Sequence, residues 1–255
     1  MDKLISVIMP AHNAEMYIDA AIRSVLSQDY QNWEMIIIDD ASTDSTASVI
    51  STYCSIDSRI RCITFSQNQG VATARNAGVA EAKGDYIAFL DSDDLWSSEK
   101  LRTQLDAIGK ADLSYTAYAV MNAEGTVLHY YSVPERISLE MLLKENWIGC
   151  STVLVKSSVI KSYSFCSDVA HEDYLLWLTL LKDGRSAIGC GQPLTHWRFV
   201  RGTRSYGKLR SARGRLRVYE MLGIPFCKRV QCFLHYCIRG ILKYYHILRR
   251  DDYHG

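Results

Sequence analysis

Short apolar runs alternate with amphipathic segments along the first 121 residues. The runs "LISVIMP", "WEMIIIDD", "RIRCITF", "DYIAFLD" and "ADLSYTAYAVM" are rich in β-branched and aromatic residues, which is typical of strands. Between them, segments such as "MYIDAAIRSVLSQ" and "SSEKLRTQLDAIGK" place apolar residues at helical spacing. This alternation predicts an α/β fold with a mostly parallel central sheet flanked by helices on both faces.

Polar clusters follow three of these strands: "AHNAE" the first, "DDASTD" the second and "DSDD" the fourth. In such sheets ligands bind at the carboxyl ends of the strands, where the strand order reverses. No GxGxxG follows the first strand and no GxxxxGK[ST] occurs, which argues against a dinucleotide dehydrogenase and a P-loop enzyme. We therefore expect phosphate to be held through a metal on the acidic cluster.

Asp91 and Asp93 are two positions apart on extended chain, so their side chains point to the same side. Such a pair can hold Mn²⁺ or Mg²⁺, which also takes oxygens from a diphosphate. Asp94 is a further candidate ligand. The alternative is a solvated acidic turn, but the cluster follows a buried strand, where spare charge is costly.

Four segments together resemble the inverting nucleotide-sugar glycosyltransferases of family 2, which have the GT-A fold. They are "SVIMPAHNAEMYIDAAIRSVLSQDYQNWEMIIIDDASTDST", "NQGVATARNAG", "GDYIAFLDSDDLW" and "HEDYLLWLTLL", and they match the family's blocks in order and spacing. The resemblance implies a GT-A domain over 1–205, with a nucleotide-sugar-binding half (1–110) and an acceptor-side half (111–205). A basic amphipathic helical tail over 206–255 follows it.

The resemblance also implies roles for matching positions. Asp40 would read a uracil edge, so a UDP-sugar is the expected donor. Arg75 would order the acidic loop or the donor. The full donor-binding set that the resemblance implies is Pro10, Ala11, His12 and Glu15 against the base or ribose, with Asp40, Arg75, Asp91, Ser92, Asp93 and Arg198.

Glu172 and Asp173 lie in the first turn of "HEDYLLWLTLL", where the helix dipole favours a charged carboxylate. From the residues alone this pair is an N-terminal cap. The resemblance implies instead that Asp173 is the general base that activates an acceptor hydroxyl, with Glu172 as the alternate. Inversion by in-line attack needs no covalent intermediate on the enzyme.

The implied activity is transfer of one hexosyl or N-acetylhexosaminyl unit to a saccharide or lipid-linked saccharide in cell-surface polysaccharide biosynthesis. The QxxRW motif of processive synthases is absent. The alternative is a non-catalytic, membrane-associated relative that acts as a scaffold; the acids at 91, 93, 172 and 173 favour the enzyme.

The segment "THWRFVRGTRSYG" partly resembles the one that closes over the donor diphosphate. Arg198 and Ser205 match, but Val200 stands where the family often has a histidine. Candidates for the missing metal or phosphate contact are His196, Arg201 and Arg204.

Charge is distributed unevenly: residues 1–197 carry 15 Lys/Arg and 25 Asp/Glu, whereas 198–255 carry 14 Lys/Arg and three acids. From Phe226 to Leu248 polar residues recur every three or four positions, leaving a wide apolar face that includes Phe233 and Tyr236. That face either covers the body of the domain or lies in a membrane interface. We expect 208–250 to attach to an anionic membrane surface.

Other features bear on location. The eight cysteines form no CxxC pair and no secretory signal is present, which is typical of the reduced thiols of a cytoplasmic protein. We therefore expect peripheral attachment at the cytoplasmic face of the cell membrane. The basic segment "GKLRSARGRLR" has no recognition module beside it, so no nucleic-acid partner is expected.

Overall fold

A computed structural model describes residues 2–199 and 208–251, with the backbone alone for 208–210 and 240–251. The strands are β1 Ile5–Ala11, β2 Trp33–Asp39, β3 Ile60–Thr64, β4 Tyr86–Phe89, β5 Leu95–Trp96, β6 Leu113–Met121, β7 Val127–Tyr131, β8 Val153–Lys156 and β9 Ala187–Arg198. The helices are α1 Ile18–Leu26, α2 Thr46–Ile56, α3 Val71–Glu81, α4 Lys100–Ile108, α5 Leu139–Lys144, α6 Ser157–Ile160, α7 Glu172–Lys182, α8 Lys208–Met221 and α9 Phe226–Asp251, and a 3₁₀ turn spans Cys150–Thr152.

The strands form one sheet in the order β3-β2-β1-β4-β8-β6-β9-β5, with β7 added beside β6. β1 pairs in parallel with both β2 and β4, and the chain reverses its direction of travel across the sheet there. β8 is antiparallel to both of its neighbours, β4 and β6, so those two strands point the same way. The predicted α/β class with a mostly parallel sheet is confirmed.

Alternate residues of β1 pack into two different cores. Ile8 lies in a cluster with residues of α3 and α7, whereas Val7 and Met9 lie in a second cluster with residues of α1. Because successive side chains of a strand point to opposite faces, a continuous apolar run fills both cores. This is why the central strands carry no polar–apolar alternation.

Helix α3 lies close to the sheet at Gly78. A Cβ added at Gly78 would come within 2.4 Å of Ile8 Cγ2 and 2.8 Å of Ile38 Cδ1. The absence of a side chain lets α3 approach β1 and β2, and this sets how far the whole helix lies from the sheet. Arg75, one turn earlier on α3, depends on that position.

The two C-terminal helices pack against the body. Val218 and Tyr219 of α8 are fully buried, and Cys232 and Phe233 of α9 belong to or pack against the same core cluster. The described part of the tail therefore covers the domain. The part of the apolar face at Phe233 and Tyr236 contacts protein. Attachment of 208–250 to an anionic membrane surface stays a prediction.

Arg215 is the polar centre of this packing. Its guanidinium carbon lies 4.4 Å from the ring centroids of both Tyr174 on α7 and Tyr236 on α9. Its Nε donates to the Tyr219 hydroxyl and its Nη2 donates to the Leu143 carbonyl. A residue counted as basic surface in the sequence is thus buried between helices. In the described part of the chain, none of the helices has an apolar stretch sufficient to cross a bilayer.

Candidate active site

The carboxyl ends of β1 and β2 and the loop after β3 meet at Asp40. Its backbone N–H donates to the Ala11 carbonyl at 2.8 Å. Its carboxylate is 3% exposed and accepts from the backbone N–H groups of Gln69 (2.7 Å) and Gly70 (2.8 Å). Asp40 thus fixes the start of α3, while Pro10 and Ala11 form the buried end of β1 beside it. Its contact with a uracil edge stays a prediction.

His12 and Glu15 line the same corner from the loop after β1. His12 Nδ1–H donates to the Asp40 carbonyl at 2.8 Å, and the ring is exposed. The Glu15 carboxylate accepts from the Ser45 N–H at 3.0 Å, at the start of α2. The His12 ring and the Glu15 carboxylate are thus both exposed on the loop after β1. Their contacts with a base or ribose stay predictions.

The "DSDD" loop follows β4, as expected, and its three carboxylates have different surroundings. Asp91 accepts from Arg75 Nη2 at 2.6 Å, and its backbone N–H donates to Ser151 Oγ. Asp94 is 2% exposed; its oxygens accept from Ser151 Oγ at 2.6 Å and from the Arg198 N–H at 2.9 Å. Asp94 therefore holds the loop in place, and the candidate metal ligands reduce to Asp91 and Asp93.

Asp93 is the least satisfied acid of the loop. No other residue in the described part of the chain donates a hydrogen bond to its carboxylate, which is partly exposed. Burial, together with the neighbouring Asp91 carboxylate, raises the pKa of Asp93 to about 6. Ser92 lies between the two acids and is also partly exposed. A cation at this position would relieve the repulsion between Asp91 and Asp93.

Arg198 ends β9 directly behind the loop and is 7% exposed. Its Nε donates to the Asp93 carbonyl at 2.8 Å, and its Nη1 donates to the Ala123 carbonyl at 2.6 Å. The guanidinium carbon also lies 4.5 Å from the ring centroid of Tyr17. The structure therefore shows Arg198 supporting the backbone of Asp93, while a contact with the donor stays a prediction.

Arg75 connects the acidic loop with the first turn of α7. Its side chain is almost fully buried, with Nη2 on Asp91 at 2.6 Å and Nη1 on Glu172 at 2.9 Å. The ring of Phe165 lies 5.4 Å from its guanidinium carbon. Arg75 thus holds the carboxylate of Asp91, and its role in ordering the acidic loop or the donor stays a prediction. The pairing with Glu172 was not expected from the sequence.

Glu172 and Asp173 differ in burial and in partners. Glu172 is 5% exposed and paired with Arg75, whereas Asp173 is partly exposed and accepts from the Tyr174 N–H. Burial and the neighbouring Glu172 charge raise the pKa of Asp173 above its usual value. A partly exposed carboxylate with a raised pKa is suited to accept a proton.

Ser151 was missed by sequence reasoning. It lies in the 3₁₀ turn before β8, and its hydroxyl connects the Asp91 N–H with the Asp94 carboxylate. Its carbonyl accepts from Trp96 Nε1 at 2.8 Å. No local pattern in "GCST" distinguishes this serine, because its partners lie 57 and 60 residues away.

Some sequence candidates fall on the segment after β9. Val200, Arg201, Arg204 and Ser205 lie outside the described residues. His196 lies within β9 opposite Leu95 of β5, and burial lowers the pKa of its ring. It is therefore an inner residue of the sheet beside the acidic loop.

The carboxylates of the acidic loop suit a hard divalent cation, since carboxylate oxygens are the ligands that Mn²⁺ and Mg²⁺ accept. Within residues 2–199 and 211–239, no group of three or more His, Cys, Asp or Glu side chains could hold a metal ion by itself. Asp91 and Asp93 would supply two such ligands, and their binding of a cation stays a prediction. The remaining coordination would come from a diphosphate and water.

Residues 6–161 match the model of the family described as "Glycosyl transferase family 2". The chain is a family 2 glycosyltransferase. The matched region contains the donor corner and the acidic loop, and stops before the acids of α7. The family resemblance expected from the four motif blocks is confirmed.

Two relatives of this glycosyltransferase match over nearly the whole chain. WfgD of Escherichia coli, named UDP-Glc:alpha-D-GlcNAc-diphosphoundecaprenol beta-1,3-glucosyltransferase, is 38% identical over 250 residues, covering 95% of this chain and 96% of WfgD. TuaG of Bacillus subtilis (strain 168), a glycosyltransferase whose name links it to teichuronic acid biosynthesis, is 37% identical over 244 residues, covering 94% of this chain and 97% of TuaG.

Solved structures agree with this glycosyltransferase in fold. TarS 1–349 of S. aureus, crystallised with UDP-GlcNAc, superposes with a TM-score of 0.69 at 18% identity, covering 91% of this chain and 71% of TarS 1–349. The mannosyltransferase PcManGT of Pyrobaculum calidifontis, in complex with GDP-Man and Mn²⁺, gives a TM-score of 0.70 at 17% identity, covering 87% of this chain and 64% of PcManGT. The expected GT-A fold is confirmed.

Proposed function

We propose that this family 2 glycosyltransferase moves one hexosyl or N-acetylhexosaminyl unit from a UDP-sugar to a lipid-linked saccharide, with inversion, in cell-surface polysaccharide biosynthesis. The observation that carries the proposal is the Arg75 bridge, which holds the donor-side acid Asp91 beside the acceptor-side acid Glu172. The names of WfgD, with a UDP-Glc donor and a diphosphoundecaprenol-linked acceptor, and of TuaG support the substrate class.

Asp173 is the general base. It takes the proton of the acceptor hydroxyl as that oxygen bonds to the anomeric carbon and the bond from that carbon to the diphosphate oxygen breaks. Glu172 is less suited to this step, because its carboxylate is buried and already engaged by Arg75. Arg75 instead neutralises Glu172 and keeps the first turn of α7 beside the acidic loop.

Asp91 and Asp93 hold Mn²⁺ or Mg²⁺ together with the donor. When bound, the cation supplies charge neutralisation for the departing nucleoside diphosphate. Arg198, Asp94 and Ser151 position the loop so that the Asp93 carboxylate is available to the ion. These three residues therefore would not bind the ion; they would position the loop that carries its ligands.

The donor base lies at the corner formed by Pro10, Ala11, His12 and Asp40, with Glu15 near the ribose. His12 and Glu15 are exposed there, so a ligand can reach both. Ser92 lies between the two loop acids, where the diphosphate is expected. The enzyme works at the cytoplasmic face of the membrane, where a lipid-linked acceptor is presented and where the basic tail 208–250 meets anionic lipid.

Calorimetric titration with UDP tests the donor half of the proposal. We expect Mn²⁺ to strengthen UDP binding at least tenfold in the wild type, and Asp93→Asn to abolish that gain. Asp106→Asn, at an exposed position of α4, is the matched control and should behave as wild type. UDP affinity that is independent of Mn²⁺ in the wild type would contradict the metal assignment.

Transfer from a panel of UDP-sugars to a diphosphoundecaprenol-linked GlcNAc acceptor in detergent tests the acceptor half. Turnover that is lost in Asp173→Asn, while metal-dependent UDP binding is kept, is the expected result. UDP binding without turnover on any donor would favour the scaffold over the enzyme.

A further inference from the structure

The outer side of α9 carries a row of exposed apolar side chains. Phe226, Val230, Leu234 and Ile238 are 75%, 43%, 58% and 61% exposed. They are spaced by four residues, so each lies next to the following one on the same side of the helix. We call these four residues the α9 ridge. Beside it, a groove of about 350 Å³ between α8 and α9 is lined in part by Leu216 of α8.

The ridge is a second face of α9, separate from the one that packs on the domain. Cys232 is 1% exposed and Phe233 packs against the core, while Leu234, the next residue, is turned to solvent. The helix is therefore apolar on two sides. Folding accounts for the inner side only, and apolar side chains in a contiguous exposed row mark an interaction surface.

Basic residues are concentrated on α8 and α9, the helices that form the ridge and its groove. Residues 208–239 contain eight Lys or Arg and one acid, Glu220. Arg213, Arg217 and Arg239 are exposed on the same two helices, and Arg239 also pairs with Glu145 of the body at 3.4 Å. Glu220 lies within 3.4 Å of Arg217 and 3.6 Å of Arg229, so the only acid of this stretch is already shared between two cations.

The geometry points to the α9 ridge as the surface that inserts into an anionic lipid bilayer, with the exposed arginines of α8 and α9 on the headgroups. An apolar row beside excess basic charge is the pattern of a helix that lies in the membrane interface. A second copy of the chain fits less well, because apposed ridges would bring two sets of cations together. The inference rests on the proposed function, of which it names the membrane-facing surface.

This orientation also places the active site relative to the lipid. Arg215 and Tyr236 join the inner side of α9 to α7, and α7 begins with Glu172 and Asp173. A ridge seated in the headgroup layer would hold the base a fixed distance from the surface where a lipid-linked acceptor is embedded. Arg215 of α8, which lies 4.4 Å from the rings of both Tyr174 on α7 and Tyr236 on α9, links the two helices.

Flotation with vesicles tests the ridge. Full-length wild-type protein should float with phosphatidylcholine vesicles that contain phosphatidylglycerol, and at least tenfold less with phosphatidylcholine alone. Leu234→Glu with Ile238→Glu should lower the floating fraction at least tenfold. The matched control is Met16→Glu with Ile56→Glu, at positions 79% and 69% exposed on other elements, which should float as wild type.

A second measurement does not depend on the charged variants folding. The emission of Leu234→Trp should shift to the blue with phosphatidylglycerol vesicles and be quenched by brominated lipid, whereas Ile56→Trp should show neither change. Wild type that stays at the bottom of the gradient with both vesicles, or a ridge variant that floats normally, overturns the inference. The inference is also overturned if the wild type is a dimer that binds no vesicles and the ridge variant is a monomer.

Failure of the proposed function would look different. The folded ridge variant should keep full transfer to an acceptor presented in detergent micelles, because no catalytic residue is changed. If the wild type shows no transfer in micelles but floats through the ridge, the proposed reaction fails while the membrane surface stands.

Discussion

Arg75 and Glu172 are 97 residues apart in the sequence and form a buried ion pair of 2.9 Å. Nη2 of the same guanidinium donates to Asp91 Oδ1 at 2.6 Å. One cation therefore neutralises an acid of the donor loop and an acid of the acceptor-side helix. The two halves of the site are tied together by this residue, and the first prediction concerns it.

Replacing Arg75 by Lys should cost both stability and turnover. A single ammonium cannot match the two-armed geometry, and a buried acid that loses its partner destabilises a protein by roughly 3–5 kcal/mol. We expect the free energy of unfolding, measured in urea, to fall by about that order, and kcat to fall with it.

Arg23→Lys is the control for that prediction. Arg23 pairs with Asp19 on the surface of α1, where Lys can replace it, and unfolding should be unchanged within error. Equal effects of the two substitutions on the free energy of unfolding would show that the Arg75 bridge stabilises the protein no more than a surface ion pair.

The raised pKa of Asp173 predicts a pH dependence of catalysis. The base acts only when ionised, so kcat/KM should rise with pH through a pKa above the usual 3.8 of an aspartate. Asp173→Asn should lower kcat by about 10²–10⁴-fold and remove this limb of the profile. Steady-state rates between pH 4 and 8 measure both. Were Glu172→Gln to remove the limb while Asp173→Asn kept it, the base would be Glu172.

Replacement by alanine should affect protein stability very differently at two arginines of α8. Arg215→Ala removes two hydrogen bonds and the stacking between Tyr174 and Tyr236, so we expect a loss of roughly 2–4 kcal/mol in unfolding free energy. Arg217→Ala, two positions away and 59% exposed, should change it by less than about 1 kcal/mol. Thermal and urea unfolding compare them. Similar stabilities for both variants would mean that the tail is not part of the core.

Gly78 should tolerate no side chain. A Cβ there would lie 2.4 Å from Ile8 Cγ2, so Gly78→Ala should destabilise the protein by roughly 1–3 kcal/mol through displacement of α3. Gly191→Ala is the control, because a Cβ at that exposed position of β9 meets nothing within 4 Å. Because Arg75 is on α3, Gly78→Ala should also lower kcat, whereas Gly191→Ala should leave it unchanged. A stable and fully active Gly78→Ala variant would contradict the close approach.

The positions of the acids could be predicted because each lies next to a strand or helix whose pattern is local. Asp91 and Asp93 come directly after β4, and Glu172 and Asp173 begin α7, as the motif order indicated. The separate tasks of Asp94 and Asp93 could not be predicted, since they depend on Ser151 and Arg198, which approach from distant parts of the chain.

The amino-acid sequence by itself determined the alternation of strands and helices, the family and the acids of the site, because periodicity and motif order are properties of neighbouring residues. Only the tertiary structure decided that β8 runs antiparallel between β4 and β6, that Arg75 bridges Asp91 and Glu172, and which side of α9 is covered. A helix that is apolar on two sides carries no local signal for the side that will be buried. That choice depends on the surfaces of α5 and β7, which are built from residues far away in the chain.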